Sequence, residues 1–151
     1  MVRLLIAHGA ELNRYDIHGQ SPLLIACHTG NISIAGILLE NGASVQPNHG
    51  HDMQTPLHIS IANGYWCLTK VLLAHGADVC AMNAYKWTPL HIAAWKGDDK
   101  SAKALLSRGA DVFARDRLDK TPLWYASKSR NQELVALLQD IMIKKRARWT
   151  L

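Results

Sequence analysis

Eight histidines and three cysteines are the side chains in this 151-residue chain best suited to hold a metal or act as nucleophiles. His49, His51 and His58 lie close together in sequence. A protein zinc site needs Cys and His ligands at short, recurring spacings that can close a tetrahedron, and no such spacing recurs. His49 and His51 fall in a stretch that reads as a loop, whereas His58 belongs to a Thr-Pro-Leu-His phrase that returns at Thr88 to His91. No metal centre is expected. Cys27, Cys67 and Cys80 form no C-x-x-C pair and are an odd set. They suit small reduced core or loop residues in a cytoplasmic or nuclear protein better than a disulfide framework or a redox site.

Catalytic patterns are missing as well. The sequence contains no Gly-x-Ser-x-Gly elbow, no phosphate-binding Walker loop and no His-Glu-x-x-His helix. The expectation is therefore no enzyme, no cofactor and no small-molecule substrate. Function must then come from a surface, and the elements that build it are legible.

Ser21-Pro22-Leu23, Thr55-Pro56-Leu57, Thr88-Pro89-Leu90 and Thr121-Pro122-Leu123 recur at spacings of 34, 33 and 33 residues. Gly9-Ala10, Gly42-Ala43, Gly76-Ala77 and Gly109-Ala110 keep the same beat in constant phase. Within one unit, Thr88 suits an N-cap and Pro89 a first helical position, where proline's missing N–H has no partner to lose. The helix carries Leu90, Ile92, Ala93 and Ala94 and stops at Gly97, which accepts the left-handed backbone that ends helices. A second helix presents Ala102, Leu105 and Leu106 on one face and closes at Gly109. Turn-prone residues from Asp116 to Lys120 then reverse the chain before the next Thr-Pro-Leu.

The sequence resembles the ankyrin-repeat family, whose period is about 33 residues with a Thr-Pro-Leu-His-x-Ala signature. Thr55 to His58 and Thr88 to Ala94 match it most closely. The resemblance implies an all-α solenoid of stacked helical hairpins with connecting β-hairpin-like loops. It divides the chain into a partial repeat at 1–15, repeats at 16–48, 49–82 and 83–115, and a degenerate C-terminal repeat at 116–148, with one inserted residue between His49 and Gln54. The 1–15 stretch matches only a second helix and exit loop, so the chain reads as truncated, with Leu4, Leu5 and Ile6 partly exposed. At the other end, Arg130 stands where glycine is expected, and Met142-Ile143 where Gly-Ala is due. His58 and His91 are expected to brace the helix start and the neighbouring loop; Leu24 and Trp124 replace them in the flanking repeats.

On this resemblance the function is a protein-interaction scaffold or adaptor that uses the concave surface of loop tips and first helices. The alternative is a docking region of a larger enzyme, channel or ubiquitin-ligase adaptor. A formal net charge of +5 and a pI near 9.3 also admit nucleic acid, but no DNA- or RNA-binding motif supports this lesser reading. Tyr85 and Trp87 are expected at or beside a hairpin tip, Trp95 and Lys96 at the end of a first helix, and Arg117, Lys120 and Lys128 on the same side of the next repeat. Aromatic anchors beside positive charge suit an acidic, partly apolar protein segment, although the aromatics could instead cover the core between repeats. Trp66 and Trp124 are expected to be core or cap residues.

Lys144-Lys145-Arg146-Ala147-Arg148 reads as a solvated helix end, with nuclear import or an acidic contact as the alternative. Asn13, in Glu11-Leu12-Asn13 with Leu5 eight residues earlier, resembles the site of the asparaginyl hydroxylase that modifies ankyrin repeats; the alternative is a hydrogen bond that stabilises the exit loop. No run of about 18 apolar residues and no signal peptide is found, so membrane insertion is not expected.

Overall fold

The computed structural model describes residues 1–46 and 52–149. They form α1 (Val2–Ala7), α2 (Pro22–His28), α3 (Ile32–Glu40), α4 (Pro56–Ala62), α5 (Trp66–Ala74), α6 (Pro89–Lys96), α7 (Asp99–Leu106), α8 (Pro122–Lys128) and α9 (Gln132–Trp149). No strand occurs among the described residues. The stretch between His49 and Gln54 that holds the expected inserted residue is only partly among them, and His49 and His51 lie outside.

Each Pro-led helix starts on the Ser or Thr before it. Ser21 Oγ accepts from the Leu24 N–H at 3.2 Å. At α4, the Thr55 N–H and hydroxyl both reach His58 Nδ1, at 3.3 and 2.8 Å, and at α6 Thr88 does the same to His91, at 3.1 and 2.9 Å. Because a backbone N–H can only donate, Nδ1 is the acceptor and the ring proton sits on Nε2. Nε2 of His58 then donates to the Trp87 carbonyl at 2.9 Å, and Nε2 of His91 to the Lys120 carbonyl at 3.2 Å. Each histidine thus ties its own helix start to the following loop, as the sequence implies.

The turn between the two helices of a unit needs a left-handed residue. Gly97 takes φ 67° there, and Arg130, one period later, is held at φ 61°. The fold keeps the turn and leaves the arginine strained, since a Cβ crowds the neighbouring carbonyl in this conformation. At Gly30 the demand is spatial as well: an added Cβ would come within 2.8 Å of the Tyr65 ring.

Helices α2, α4, α6 and α8 stack in one row, and α1, α3, α5, α7 and α9 in another. Between the rows lie Leu23, Leu57 and Leu90 from the first helices and Leu38, Leu72, Leu105 and Leu138 from the second, all buried. No unit could bury this surface alone; neighbours cover it. Ser101 occupies the position of Ile34, Leu68 and Leu134, and its buried hydroxyl lacks a hydrogen-bond partner. Leu4 and Leu5 are exposed and Ile6 half-buried on α1. With no Gly-Ala to stop it, α9 runs for 18 residues. Lys144 pairs with Asp140 and the Arg146 guanidinium lies over Phe113.

The loops at 16–20, 83–87 and 116–120 are hairpin-like turns closed locally. Asn83 N–H donates to the Trp87 carbonyl at 3.0 Å, and Asp116 N–H to the Lys120 carbonyl at 3.0 Å. Neighbouring turns are joined edge to edge by Arg117 N–H to Tyr85 O at 3.1 Å and Ala84 N–H to Asp52 O at 2.9 Å.

Candidate functional site

The side of the stack formed by hairpin tips and first helices carries a groove of about 580 Å³. Its lining follows from the period: Gln54 and Trp87, Ala62 and Trp95, Asn83 and Asp116, Tyr85 and Leu118, and Ile92 and Tyr125 are pairs of residues one 33-residue step apart. Each pair is one repeat position contributed by two adjacent units. Arg117 completes the lining. Tyr85, Trp87, Trp95 and Arg117 are therefore brought together. Lys96, Lys120 and Lys128 do not line the groove; they sit against indole rings, Lys96 over Trp95 at 5.5 Å and the other two over Trp124.

Asp116 organises the floor. Its Oδ1 accepts from the N–H groups of Leu118 and Lys120, at 2.8 and 2.9 Å, which fixes the hairpin. Its Oδ2 accepts from the Trp87 indole N–H at 3.0 Å and the Tyr125 hydroxyl at 2.5 Å. Burial pushes the carboxyl upward, but these donors outweigh it and hold Asp116 below its usual range. Burial, reinforced by the Asp116 carboxylate, pushes Tyr125 up to about 12. The carboxylate is thus already saturated, and the groove offers mainly aromatic surface.

The rings pack as a wall. Trp87 lies 4.6 Å from Tyr125 in a tilted arrangement and 6.1 Å from Trp95 edge-on. Trp87 is half-buried and Tyr125 buried, whereas Tyr85 and Trp95 are 55% and 54% exposed. Trp87 and Tyr125 cover the junction between units, while Tyr85 and Trp95 leave much of their rings at the surface. Trp66 is half-buried, but Trp124 is 41% exposed and so is not a core residue. It stands at the histidine position of a helix start that lacks the histidine network, and its ring turns to the surface against Tyr125 at 4.9 Å.

Asp116, Tyr125 and Leu118 were not among the residues singled out from sequence, although stepping 33 residues from Asn83, Ile92 and Tyr85 reaches them. His58 is committed to Thr55 and Trp87, and burial lowers it to about 4; burial also lowers His91. Burial pushes the Cys27 thiol up to about 12, and Cys67 and Cys80 are exposed. Asn13 is exposed, and its Oδ1 accepts from the Ser44 N–H at 2.7 Å, linking one exit loop to the next. Among the described residues no helix is long and apolar enough to cross a membrane.

Two stretches, residues 1–49 and 45–116, match the family described as Ankyrin repeats (3 copies). The chain is similar to alpha-latrotoxin-Lt1a of Latrodectus tredecimguttatus, 35% identical over 60 residues, which is 40% of this chain and 4% of the toxin. It is 41% identical over 76 residues to the nuclear factor NF-kappa-B p105 subunit of Mus musculus, covering 50% of this chain and 8% of that protein. With the putative E3 ubiquitin-protein ligase XBAT35 of Arabidopsis thaliana it shares 33% identity over 84 residues, 54% of this chain and 18% of the relative. The match thus spans less than a fifth of each of these relatives.

Proposed function

The chain belongs to the ankyrin-repeat family, and from that premise we propose that it is a protein-interaction module whose groove binds an extended, partly apolar and acidic segment of a partner protein. The observation that carries this reading is the convergence of Tyr85, Trp87, Trp95 and Arg117 on one groove of about 580 Å³. Concave, mostly apolar clefts of this size hold side chains well, and interface anchors are enriched in these residue types. Lys96, Arg117, Lys120 and Lys128 form no ion pair among the described residues, which leaves their charge available to acidic groups on the ligand.

The module acts without catalysis of its own. A second reading, that it is the docking region of a longer enzyme, channel or ubiquitin-ligase adaptor, is favoured by the small fraction of each relative that the match covers and by the ligase name of one of them. It uses the same groove, and the reading frame around this segment decides it.

A partner recovered by pull-down tests the proposal through amide exchange. Protection on binding is expected at 83–95 and 116–125; protection confined to α3, α5 and α7 would contradict the groove. Tight binding to DNA, falling steeply with salt, would instead support a nucleic-acid ligand.

A further inference from the structure

We infer that Lys120, Trp124 and Lys128 form an anion subsite next to the groove that takes a phosphorylated side chain of the bound segment. This rests on the proposed groove function and adds the chemistry of the ligand's second contact.

The ammonium groups of Lys120 and Lys128 lie 5.0 and 5.6 Å from the centroid of the Trp124 ring. Neither has a carboxylate within ion-pair distance among the described residues. The Trp124 indole N–H also donates to no acceptor there. Two ammonium groups without a carboxylate partner thus flank one exposed ring whose own N–H has no acceptor, and none of the three groups can accept a hydrogen bond. A ligand cation, methylated or not, finds no acceptor here and is repelled by two ammoniums. A single carboxylate carries one charge for two cations. A phosphoryl group carries about −1.5 to −2 with three strong acceptor oxygens, and its charge-assisted hydrogen bonds are the stronger kind.

The subsite is prepared before a ligand arrives. Lys120 is fixed at its backbone by Asp116 Oδ1 on its N–H and by His91 Nε2 on its carbonyl. Continuity with the groove comes through Tyr125, which packs edge-on against Trp124 and lines the groove. A segment seated in the groove against Tyr125 therefore lies one ring away from Trp124 and its lysines.

The test uses the intact chain and an oriented library of synthetic peptides. One position is fixed as Phe, Leu or Trp, and the flanks are drawn from Ser, phosphoserine, Asp, Glu, Lys and trimethyl-lysine. The expected result is selection of phosphoserine at one flanking position, with roughly ten-fold tighter binding than the serine peptide, as charged hydrogen bonds allow. K120Q/K128Q should abolish that preference and leave the choice of apolar anchor intact. K128Q alone, an exposed change, should weaken it and serves if the double variant folds poorly. Equal selection of Glu and phosphoserine, selection of Lys or trimethyl-lysine, or a preference unchanged in the variants would overturn the subsite while leaving the groove in place. A library showing no apolar selection would overturn the groove reading and the subsite with it.

Discussion

The indole N–H of Trp87 donates to Asp116 Oδ2 at 3.0 Å across 29 residues of sequence. The same carboxylate oxygen accepts from Tyr125, while the Trp87 carbonyl accepts from His58 in the preceding unit. One tryptophan is therefore held by both neighbouring units, and the aromatic wall is set before any ligand arrives.

Asp116→Asn should show how far the groove depends on this carboxylate. An amide offers one acceptor oxygen where two are in use and turns donors toward donors. The expected loss is about 1–3 kcal/mol of stability, the cost of an unsatisfied buried polar group, seen as a lower denaturation midpoint. Ligand affinity should fall with it, because Trp87 and Tyr125 lose their common anchor. An unchanged midpoint would mean that the network contributes nothing.

Acid should weaken the stack through His58. Burial holds its folded value to about 4, against an ordinary value of 6.5. Between these values the unfolded chain binds the proton and the folded chain does not, so stability is full above about 6.5 and falls as pH drops toward 4. The shift corresponds to roughly 3 kcal/mol, and His91, also lowered by burial, acts with the same sign. Denaturation at a series of pH values checks this. His58→Leu, which installs the residue type found at Leu24, should flatten that part of the profile.

Arg130→Gly should stabilise the chain. At φ 61° the arginine bears a strain that glycine lacks, and about 1 kcal/mol is the usual cost of the left-handed conformation. A raised thermal midpoint with unchanged circular dichroism is expected, and a lowered midpoint would refute the strain.

Asn13 is a candidate for hydroxylation. Its side chain is exposed, and the Ser44 N–H donates to its oxygen. Incubation with the asparaginyl hydroxylase and its cosubstrates should add one oxygen to the peptide containing Asn13. An unchanged mass would leave the residue with its structural bond alone.

Much of the fold was legible because it is written in local chemistry. Thr-Pro at a helix start, His three residues after the cap and Gly-Ala after the second helix each act within a few residues, and the period multiplies them. What escaped depends on direction across units. Asp116 reads as an ordinary turn residue until Trp87 and Tyr125, from two different units, point at it. Trp124 reads as core by its size, yet without the cap histidine its ring turns outward. Ser101 breaks the apolar periodicity at a position where sequence offers no sign of what faces it. The Met142-Ile143 departure was visible, but its consequence, a helix running on to Trp149, follows only once nothing downstream stops it.

The most direct test of the account is the affinity of Trp95→Ala for a partner recovered with the native chain. Trp95 is 54% exposed at the groove edge, so its removal should spare the fold, checked by circular dichroism and thermal melting. Binding weaker by at least about 1 kcal/mol is expected, as for a truncated interface anchor, with Lys103→Ala on α7 unchanged. Wild-type affinity in folded Trp95→Ala and Trp87→Ala chains would contradict it.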